Sequence, residues 1–333
     1  MSELAETDRR LVAALLANPR ATLALIGEVI GVSEATVSRR AASLFERRLV
    51  QVVGVLDKER SQRGREVLVR LRCRPGAGRR VAEALVGWEE TGLVSVLGGS
   101  ADCMTGLTVT SNEHLLRLIM DELPRLDGVV ATSTAMVIRR FATPHGWCPP
   151  ILPPAAVERL RRDRRDDWRE RTPAIPVGSG AEQPADVRLT AVDEALIAAL
   201  GRDGRLGWQE LAQACGTMPS TARRRVASLM ARGLLRLRAV VDPAVLGYPV
   251  TAYLWLRVNA THLSAAGRLL ADHPAVVNIA ATTGEQNLCG EVALADDDAL
   301  YDFLTGTVGR IAGLRDTDVT MELRTLKRAT LAV

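Results

Sequence analysis

The spacing of apolar residues near the start of the chain predicts a unit of three short helices. Asp8 can cap a first helix whose leucines fall on one side, and the segment 18–20 interrupts it. A second helix is predicted over residues 22–30, with Thr22 as its cap and again with one apolar face. Gly31 then supplies a turn, and Ser33 can cap a third helix that continues to residue 47. Helix, glycine turn and capped helix is the order typical of a helix-turn-helix.

The same unit recurs at an offset of 185 residues, as from Asp8 to Asp193. A repeat of this kind decides the architecture before any other feature of the sequence does. The residues kept in both copies are mainly apolar residues, glycines and arginines. They include Leu11/Leu196, Leu15/Leu200, Arg20/Arg205, Gly31/Gly216, Thr36/Thr221, Arg39/Arg224, Arg40/Arg225, Leu44/Leu229 and Leu49/Leu234.

A larger unit of strands and helices is predicted after each helical unit. A strand-like run at 50–56 leads to strand, helix, strand, strand, helix and strand at about 67–72, 78–88, 93–97, 103–109, 112–123 and 129–138. The second half repeats the order at about 250–258, 262–271, 276–281, 288–294, 297–311 and 318–323. This is the ferredoxin-like βαββαβ plan, which leaves one sheet face free for a partner. The predicted fold class is therefore α+β, with two helix-turn-helix domains and two ferredoxin-like modules.

These units predict five consecutive regions. They are helix-turn-helix domains at 1–50 and 187–236, ferredoxin-like modules at 51–143 and 237–333, and a proline-rich linker at 144–186. The pattern of residues 155–171 in the linker predicts one charged helix. Two interpretations stay open for it. It is a solvated spacer, or it contacts the DNA backbone through Arg161, Arg162, Arg164 and Arg165.

Composition narrows the class of protein. The 333 residues carry a net charge of +4, and nearly all the positive charge is arginine. Five scattered cysteines favour neither a disulfide framework nor a zinc site. No apolar run approaches the about 18 residues of a membrane span, and the N-terminus does not resemble a secretory signal. We expect a cytoplasmic protein without a membrane partner, a metal or a cofactor.

The third helix of each small unit has an outward face suited to DNA. In a helix-turn-helix the second helix of the motif enters the major groove, where hydroxyls bond phosphate and arginines reach guanine or phosphate. The alternative is a solvated helix face, but both copies keep Thr-x-x-Arg-Arg at the same place. The predicted DNA-binding residues are Ser33, Thr36, Ser38, Arg39 and Arg40 in the first copy and Ser220, Thr221, Arg223, Arg224 and Arg225 in the second.

Three motifs together resemble one family. GVSEATVSRRAASL at 31–44, GTMPSTARRRVASL at 216–229 and a Gly-x-x-Asp turn at 99–102 are similar to the Lrp/AsnC family, the leucine-responsive and asparagine-responsive regulators. The chain looks like two members fused head to tail. The resemblance implies a sequence-specific DNA-binding transcriptional regulator controlled by a small effector, often an amino acid.

The resemblance also implies where an effector lies. In the family the effector binds near the Gly-x-x-Asp turn, and the second copy of this chain has an amide in place of the acid. The alternative is a tight turn in which Asp and Asn are only turn residues. The candidate effector-binding residues carried over are Gly99, Ser100, Asp102, Thr283, Gly284 and Asn287.

Fusion of two members has consequences for symmetry. Family members pair about a two-fold axis, so one fused chain is expected to build the equivalent pair internally and then to form homo-oligomers. The two recognition helices differ, so the operator is expected to be an imperfect palindrome with half-sites about 34–36 Å apart.

Two other functions are weighed against DNA binding. One is an effector-binding or interaction protein with degenerate helix-turn-helix units. The other is an enzyme like the siroheme decarboxylases, which have a similar two-part fold and would need basic and histidine residues around a tetrapyrrole. The four histidines are scattered, and no Ser/His/Asp set, phosphate-binding glycine loop or HExxH pattern occurs, so we expect no catalytic residues. The four histidines are His114, His145, His262 and His273.

Overall fold

The computed structural model describes residues 4–162 and 188–328, and the backbone of 331–332. The first repeat contains α1 (Glu6–Ala17), α2 (Leu23–Ile30), α3 (Glu34–Glu46), β1 (Val50–Leu56), β2 (Arg65–Cys73), α4 (Gly78–Val86), β3 (Thr91–Gly98), β4 (Cys103–Val109), α5 (Asn112–Arg117) and β5 (Val129–Ala142). Helix α6 (Pro154–Arg162) follows it.

The second repeat has the same elements in the same order. They are α7 (Ala191–Arg202), α8 (Trp208–Ala214), α9 (Pro219–Ala231), β6 (Leu235–Val241), β7 (Val250–Val258), α10 (Leu263–Ala271), β8 (Val276–Thr282), β9 (Leu288–Leu294), α11 (Asp297–Asp302) and β10 (Leu314–Arg328), with a short β11 (Leu331–Ala332) at the end. Both predicted helix-turn-helix units and both βαββαβ modules are present, so the predicted α+β fold is confirmed.

The predicted cap of the first helix is wrong. Helix α1 begins at Glu6, so its cap is Ala5, whose side chain makes no capping hydrogen bond, and Asp8 lies in the first turn. In the second repeat Thr190 occupies the cap position and forms a capping box with Asp193. The aligned acids therefore both lie three residues past the cap, where a carboxylate suits the positive end of the helix.

The described residues form two compact units. One contains both helix-turn-helix units with β1, β6 and α6, and the other contains both ferredoxin-like modules. In the first unit β1 and β6 pair antiparallel, with Val50 opposite Val241 and Leu56 opposite Leu235. Helix α7 packs on β1, and α1 packs on β6. Each repeat thus supplies the strand that supports the first helix of the other.

Two equivalent arginines join the helix-turn-helix units. Arg20 donates to the carbonyls of Gly204 and Leu206 at 2.8 and 2.5 Å. Arg205 donates to carbonyls in the segment 19–21 at 2.7 and 3.2 Å. The guanidinium of Arg20 also lies 4.7 Å from the ring centroid of Trp208, a favourable cation–π distance. The contacts are reciprocal, as a pseudo-two-fold relation between the repeats requires.

Helix α6 packs against the first helix-turn-helix. Leu160 is fully buried, and its carbonyl accepts a hydrogen bond from Asn18 Nδ2 at 3.0 Å. Arg159 forms an ion pair with Glu28 on α2. The interpretation of a solvated spacer is therefore wrong for residues 154–162, because burying Leu160 removes an apolar side chain from water. The rest of the predicted helix, with Arg164 and Arg165, lies outside the described residues.

The two ferredoxin-like modules share one closed sheet. The strand order is β11-β10-β3-β4-β2-β5-β8-β9-β7, and β7 also pairs with β10. The C-terminal part of β5 pairs with β8 of the second module, and that of β10 pairs with β3 of the first. Each module therefore closes the sheet of the other, as the prediction of an internal pair within one chain requires.

Strands β5 and β10 extend beyond their predicted ends at residues 138 and 323. The additional residues pair with the other module. A local apolar pattern does not indicate such a distant partner, so it did not predict these residues as strand. Three apolar clusters fill this unit: one beneath the helices of each module, and one inside the closed sheet that includes Met104, Tyr253 and Trp255. Among the helices that the structure describes, none is long and apolar enough to cross a membrane.

Candidate DNA-binding and effector sites

The recognition helices are set by local signals. Thr22 Oγ1 caps α2 by accepting from the backbone N–H of Leu25, and Gly31 ends that helix at φ +76°. Ser33 Oγ accepts from the backbone N–H of Thr36 at 3.3 Å and so caps α3. In the second copy Gly216 makes the turn at φ +61°, and Pro219 opens α9. The expected glycine turns and the Thr22 and Ser33 caps are confirmed.

Two of the predicted DNA-binding arginines form ion pairs inside their own helix-turn-helix units. Arg40 Nη1 donates to Asp8 Oδ1 at 3.1 Å, and Arg225 Nη1 donates to both carboxylate oxygens of Asp193 at 3.1 and 3.2 Å. Burial alone would raise the pKa of Asp193, but the hydrogen bonds from Thr190 and Arg225 together outweigh it and hold the pKa below its usual range. These ion pairs tie each recognition helix to the first helix of its own unit.

The remaining predicted residues cover the outer face. Ser33, Ser38 and Arg39 are exposed on α3, while the hydroxyl of Thr36 is 2.9 Å from that of Ser33. On α9 Ser220, Arg223 and Arg224 are exposed, and Thr221 is half-buried. Among the described residues no hydrogen bond or ion pair engages the guanidinium groups of Arg39, Arg223 and Arg224. Free guanidinium groups on a recognition helix suit phosphate or base contacts.

The glycine turns between the second and third strands of each module are anchored by their last residue. Asp102 Oδ2 accepts from the backbone N–H of Cys73 at 2.7 Å. Asn287 accepts from Val258 N–H at 2.9 Å and donates to the Val258 carbonyl at 2.8 Å. Cys73 and Val258 are equivalent positions. Asp102 and Asn287 therefore both accept a hydrogen bond from the backbone N–H of the equivalent strand residue, which explains why the second copy tolerates the amide.

A polar chain links the two turns across the closed sheet. Ser100 Oγ donates to Asp318 Oδ2 at 2.6 Å, and Arg70 donates to Asp318 at 2.8 Å and to Gln286 at 2.9 Å. The Arg70 guanidinium lies 4.2 Å from the Trp255 ring centroid. Sequence reasoning missed Arg70 and Asp318, since the apolar alternation of a strand marks which face a residue is on but not which distant residue it meets.

Some of the predicted effector residues belong to this chain of hydrogen bonds, and others line an open cleft. Thr283 is engaged elsewhere, because its backbone N–H and its Oγ1 bond the backbone of Met136. Gly284 and Asn287 line a cleft of about 650 Å³ in the second module, with Arg257 and Arg315. Glu285 pairs with Arg257 at 3.5 Å, and Arg315 donates to Asn259 at 3.0 Å. Two guanidinium groups and one carboxylate at the rim suit a ligand that carries both charges.

The histidines have separate local contacts. His114 Nε2 is 3.1 Å from Glu90 Oε1. His273 stacks edge-on with Phe303 at 4.8 Å between centroids, and burial lowers its pKa. His262 lies at the start of α10, and His145 lies in the other compact unit.

Comparison with protein families decides the relationship of this chain. The Lrp/AsnC ligand binding domain matches residues 66–145 and 251–332, and the AsnC-type helix-turn-helix domain matches residues 4–44 and 189–230. The chain belongs to the Lrp/AsnC family of transcriptional regulators, in a tandem form. The four matched ranges coincide with the two helical units and the two ferredoxin-like modules.

The relatives found by sequence correspond to one repeat. The HTH-type transcriptional regulator FL11 of Pyrococcus horikoshii is 29% identical over 145 residues, which are 43% of this chain and 95% of that protein. The HTH-type transcriptional regulator Ptr1 of Methanocaldococcus jannaschii is 26% identical over 140 residues, 42% of this chain and 95% of that protein. Each relative is thus about half as long as the fused chain.

A solved structure has the two-repeat fold. The siroheme decarboxylase NirDL superposes with a TM-score of 0.60 at 15% identity, covering 98% of this chain and 93% of that one. At this identity the likeness concerns the fold alone. The same tandem architecture therefore occurs in an enzyme, while the sequence relatives above are transcriptional regulators.

Proposed function

We propose that this regulator binds an imperfect palindrome in double-stranded DNA through α3 and α9, and that it acts as no enzyme. The observation that carries the proposal is the pair of exposed arginines at equivalent positions, Arg39 and Arg224, on the two recognition helices. Arg40 and Arg225, included above among the DNA-binding residues, act in this proposal by holding the helices in place. The reciprocal bonds of Arg20 and Arg205 support a fixed spacing between the two recognition helices, α3 and α9.

A small effector with a carboxylate and an amino group fits the second module. Arg315 and Arg257 offer guanidinium groups to the carboxylate, and Glu285 offers a carboxylate to the amine. In the first module the residues equivalent to Arg315 and Glu285 are Val130 and Ser100. We therefore infer one effector site in each fused chain rather than two. In this proposal Gly99, Ser100 and Asp102 do not bind the effector. They form the turn that Asp102 anchors to Cys73 and that Ser100 links to Asp318.

Assembly into homo-oligomers stays a prediction. Ile138 and Leu323 occupy equivalent positions on β5 and β10 and are 43% and 66% exposed, as expected of a surface that meets another copy. Light scattering at micromolar concentration tests this. A strict monomer contradicts it.

The decisive experiment is selection of bound sequences from random duplex DNA, with and without a mixture of α-amino acids. The parent protein should enrich an imperfect palindrome. The variant Arg39→Ala/Arg224→Ala should lose most of that enrichment, and its affinity should depend less steeply on salt, with a slope lower by about 2. Arg202→Ala, an exposed arginine at the end of α7, is the matched control. No enrichment by the parent overturns DNA binding and favours the interaction-module alternative.

A further inference from the structure

The exposed faces of the two recognition helices differ at their N-terminal ends. Helix α3 is capped by Ser33, whose hydroxyl is occupied by the backbone N–H and the hydroxyl of Thr36. The equivalent residue at the cap of α9 is Met218, which makes no capping bond and is 68% exposed. An apolar side chain exposed at this place is available to contact an apolar group of the DNA, and burying it there would be favourable.

The charges differ as well. Helix α3 exposes Glu34 in its first turn, whereas α9 has proline at that position and no acidic residue. One turn further on, α3 exposes Ser38 where α9 exposes Arg223. After Arg40 and Arg225 are assigned to their ion pairs, α9 offers two free guanidinium groups and α3 offers one.

These differences select different bases. In a helix-turn-helix the N-terminal residues of the recognition helix meet the base edges. Arginine recognises guanine O6 and N7, apolar side chains contact the thymine methyl, and glutamate accepts from cytosine N4. Arg39 and Arg224 are shared, so the positions that they read should be alike in both half-sites.

We propose that the chain reads its operator in one fixed orientation, with α9 on a half-site that carries an additional guanine read by Arg223 and a thymine contacted by Met218. Helix α3 takes the other half-site, where Ser38 makes no demand for guanine and Glu34 favours cytosine. This inference rests on the proposed DNA binding and adds to it the identity of each half-site. A symmetric dimer of identical chains has no such direction, whereas the fused chain has two different recognition helices.

The experiment exchanges one pair of side chains between the helices. Ser38→Arg/Arg223→Ser moves a guanidinium from α9 to α3 while the net charge of the chain stays the same. Both positions are exposed and lie past the helix caps, so the caps are preserved. Sequence selection is run on the parent, the exchange variant and each single variant, with circular dichroism to check that each is folded.

The expected result is a guanine preference of about 5- to 100-fold at one position of one half-site in the parent. The exchange variant should show it in the other half-site, Ser38→Arg in both and Arg223→Ser in neither. Enrichment of the same bases in both halves by the parent, or a preference that stays in place after the exchange, overturns the inference alone. Absence of any enriched sequence with the parent overturns the proposed function, and this inference falls with it.

Discussion

Arg20 and Arg205 occupy equivalent positions in the two repeats, and each donates two hydrogen bonds to backbone carbonyls of the other repeat, at 2.5–2.8 Å and 2.7–3.2 Å. The planar guanidinium presents its donors in a fixed fork, so one side chain holds two carbonyls at once. Two such forks in opposite directions fasten the helix-turn-helix units to each other.

Arg205→Ala should lower the free energy of unfolding by about 1–3 kcal/mol, because two partly buried carbonyls lose a charged donor. Arg205→Lys should recover little of it, since an ammonium cannot reproduce the fork. Urea denaturation followed by circular dichroism measures the change. Arg202→Ala is the control, and equal stability of the Arg205→Ala and Arg202→Ala variants would show that the exchanged bonds contribute nothing.

Phe141 of the first module lies over Gly267 of the second, where an added Cβ would be 2.3 Å from the ring. The equivalent residues are Leu326 and Ala82, and Leu326 packs on the cluster that contains Ala82. Gly267→Ala should destabilise the ferredoxin-like unit by about 1–3 kcal/mol through overpacking, despite the helix propensity of alanine. Adding Phe141→Leu should restore part of the loss. A double-mutant cycle on thermal unfolding tests the coupling, and additive effects of the two changes would contradict it.

Glu322 lies inside the closed sheet beside a second carboxylate. Burial raises its pKa to about 7, Arg328 opposes the shift, and Glu291 adds to it. Arg328 donates to Glu291 at 2.6 Å and to Glu322 at 3.3 Å, so one cation serves two acids. The buried hydroxyl of Tyr253 lies in the same cluster, and burial raises its pKa.

The sign of the pH effect follows from the raised pKa. Unfolded Glu322 loses its proton near its usual pKa of 4.5, whereas the folded protein keeps it until about pH 7. The free energy of unfolding should therefore fall as the pH rises from about 4.5 to about 7, by an amount on the order of 3 kcal/mol, and then level off. Glu322→Gln should remove this slope in denaturant titrations at a series of pH values. An unchanged slope in that variant would assign the pH dependence to other groups.

Arg315 distinguishes the second-module cleft from its counterpart. Arg315→Ala should weaken binding of a zwitterionic amino acid by about 10- to 100-fold, because a charge-assisted hydrogen bond to the carboxylate is lost. Val130→Ala changes the equivalent residue of the first module and should leave affinity unaltered. Isothermal titration calorimetry, after a thermal-shift screen of α-amino acids, measures both affinities. Binding of two equivalents per chain by the parent would refute a single effector site.

Local elements could be predicted from the sequence because their causes act within a few residues. The Thr22 and Ser33 caps, the turns at Gly31 and Gly216, and the βαββαβ order all depend on neighbouring side chains and on apolar periodicity. The cap at Asp8 was wrong for a related reason, since Asp8 and Asp193 suit the first turn of a helix as well as its cap. The position of an acid alone does not fix where a helix starts.

Contacts between the repeats could not be predicted in this way. The offset of 185 residues shows that two halves share a fold, but it carries no information on which strand of one half pairs with the other. The length of β5 and β10, the chain from Ser100 through Asp318 and Arg70 to Gln286, and the inward ion pairs of Arg40 and Arg225 all depend on residues distant in sequence. The sequence by itself determined two copies of a DNA-reading unit and a sheet module, because caps and periodicity are local. Only the tertiary structure decided that strands of one copy pair with strands of the other and that arginines of each copy bond carbonyls of the other, because hydrogen-bond partners far apart in the chain are chosen by packing.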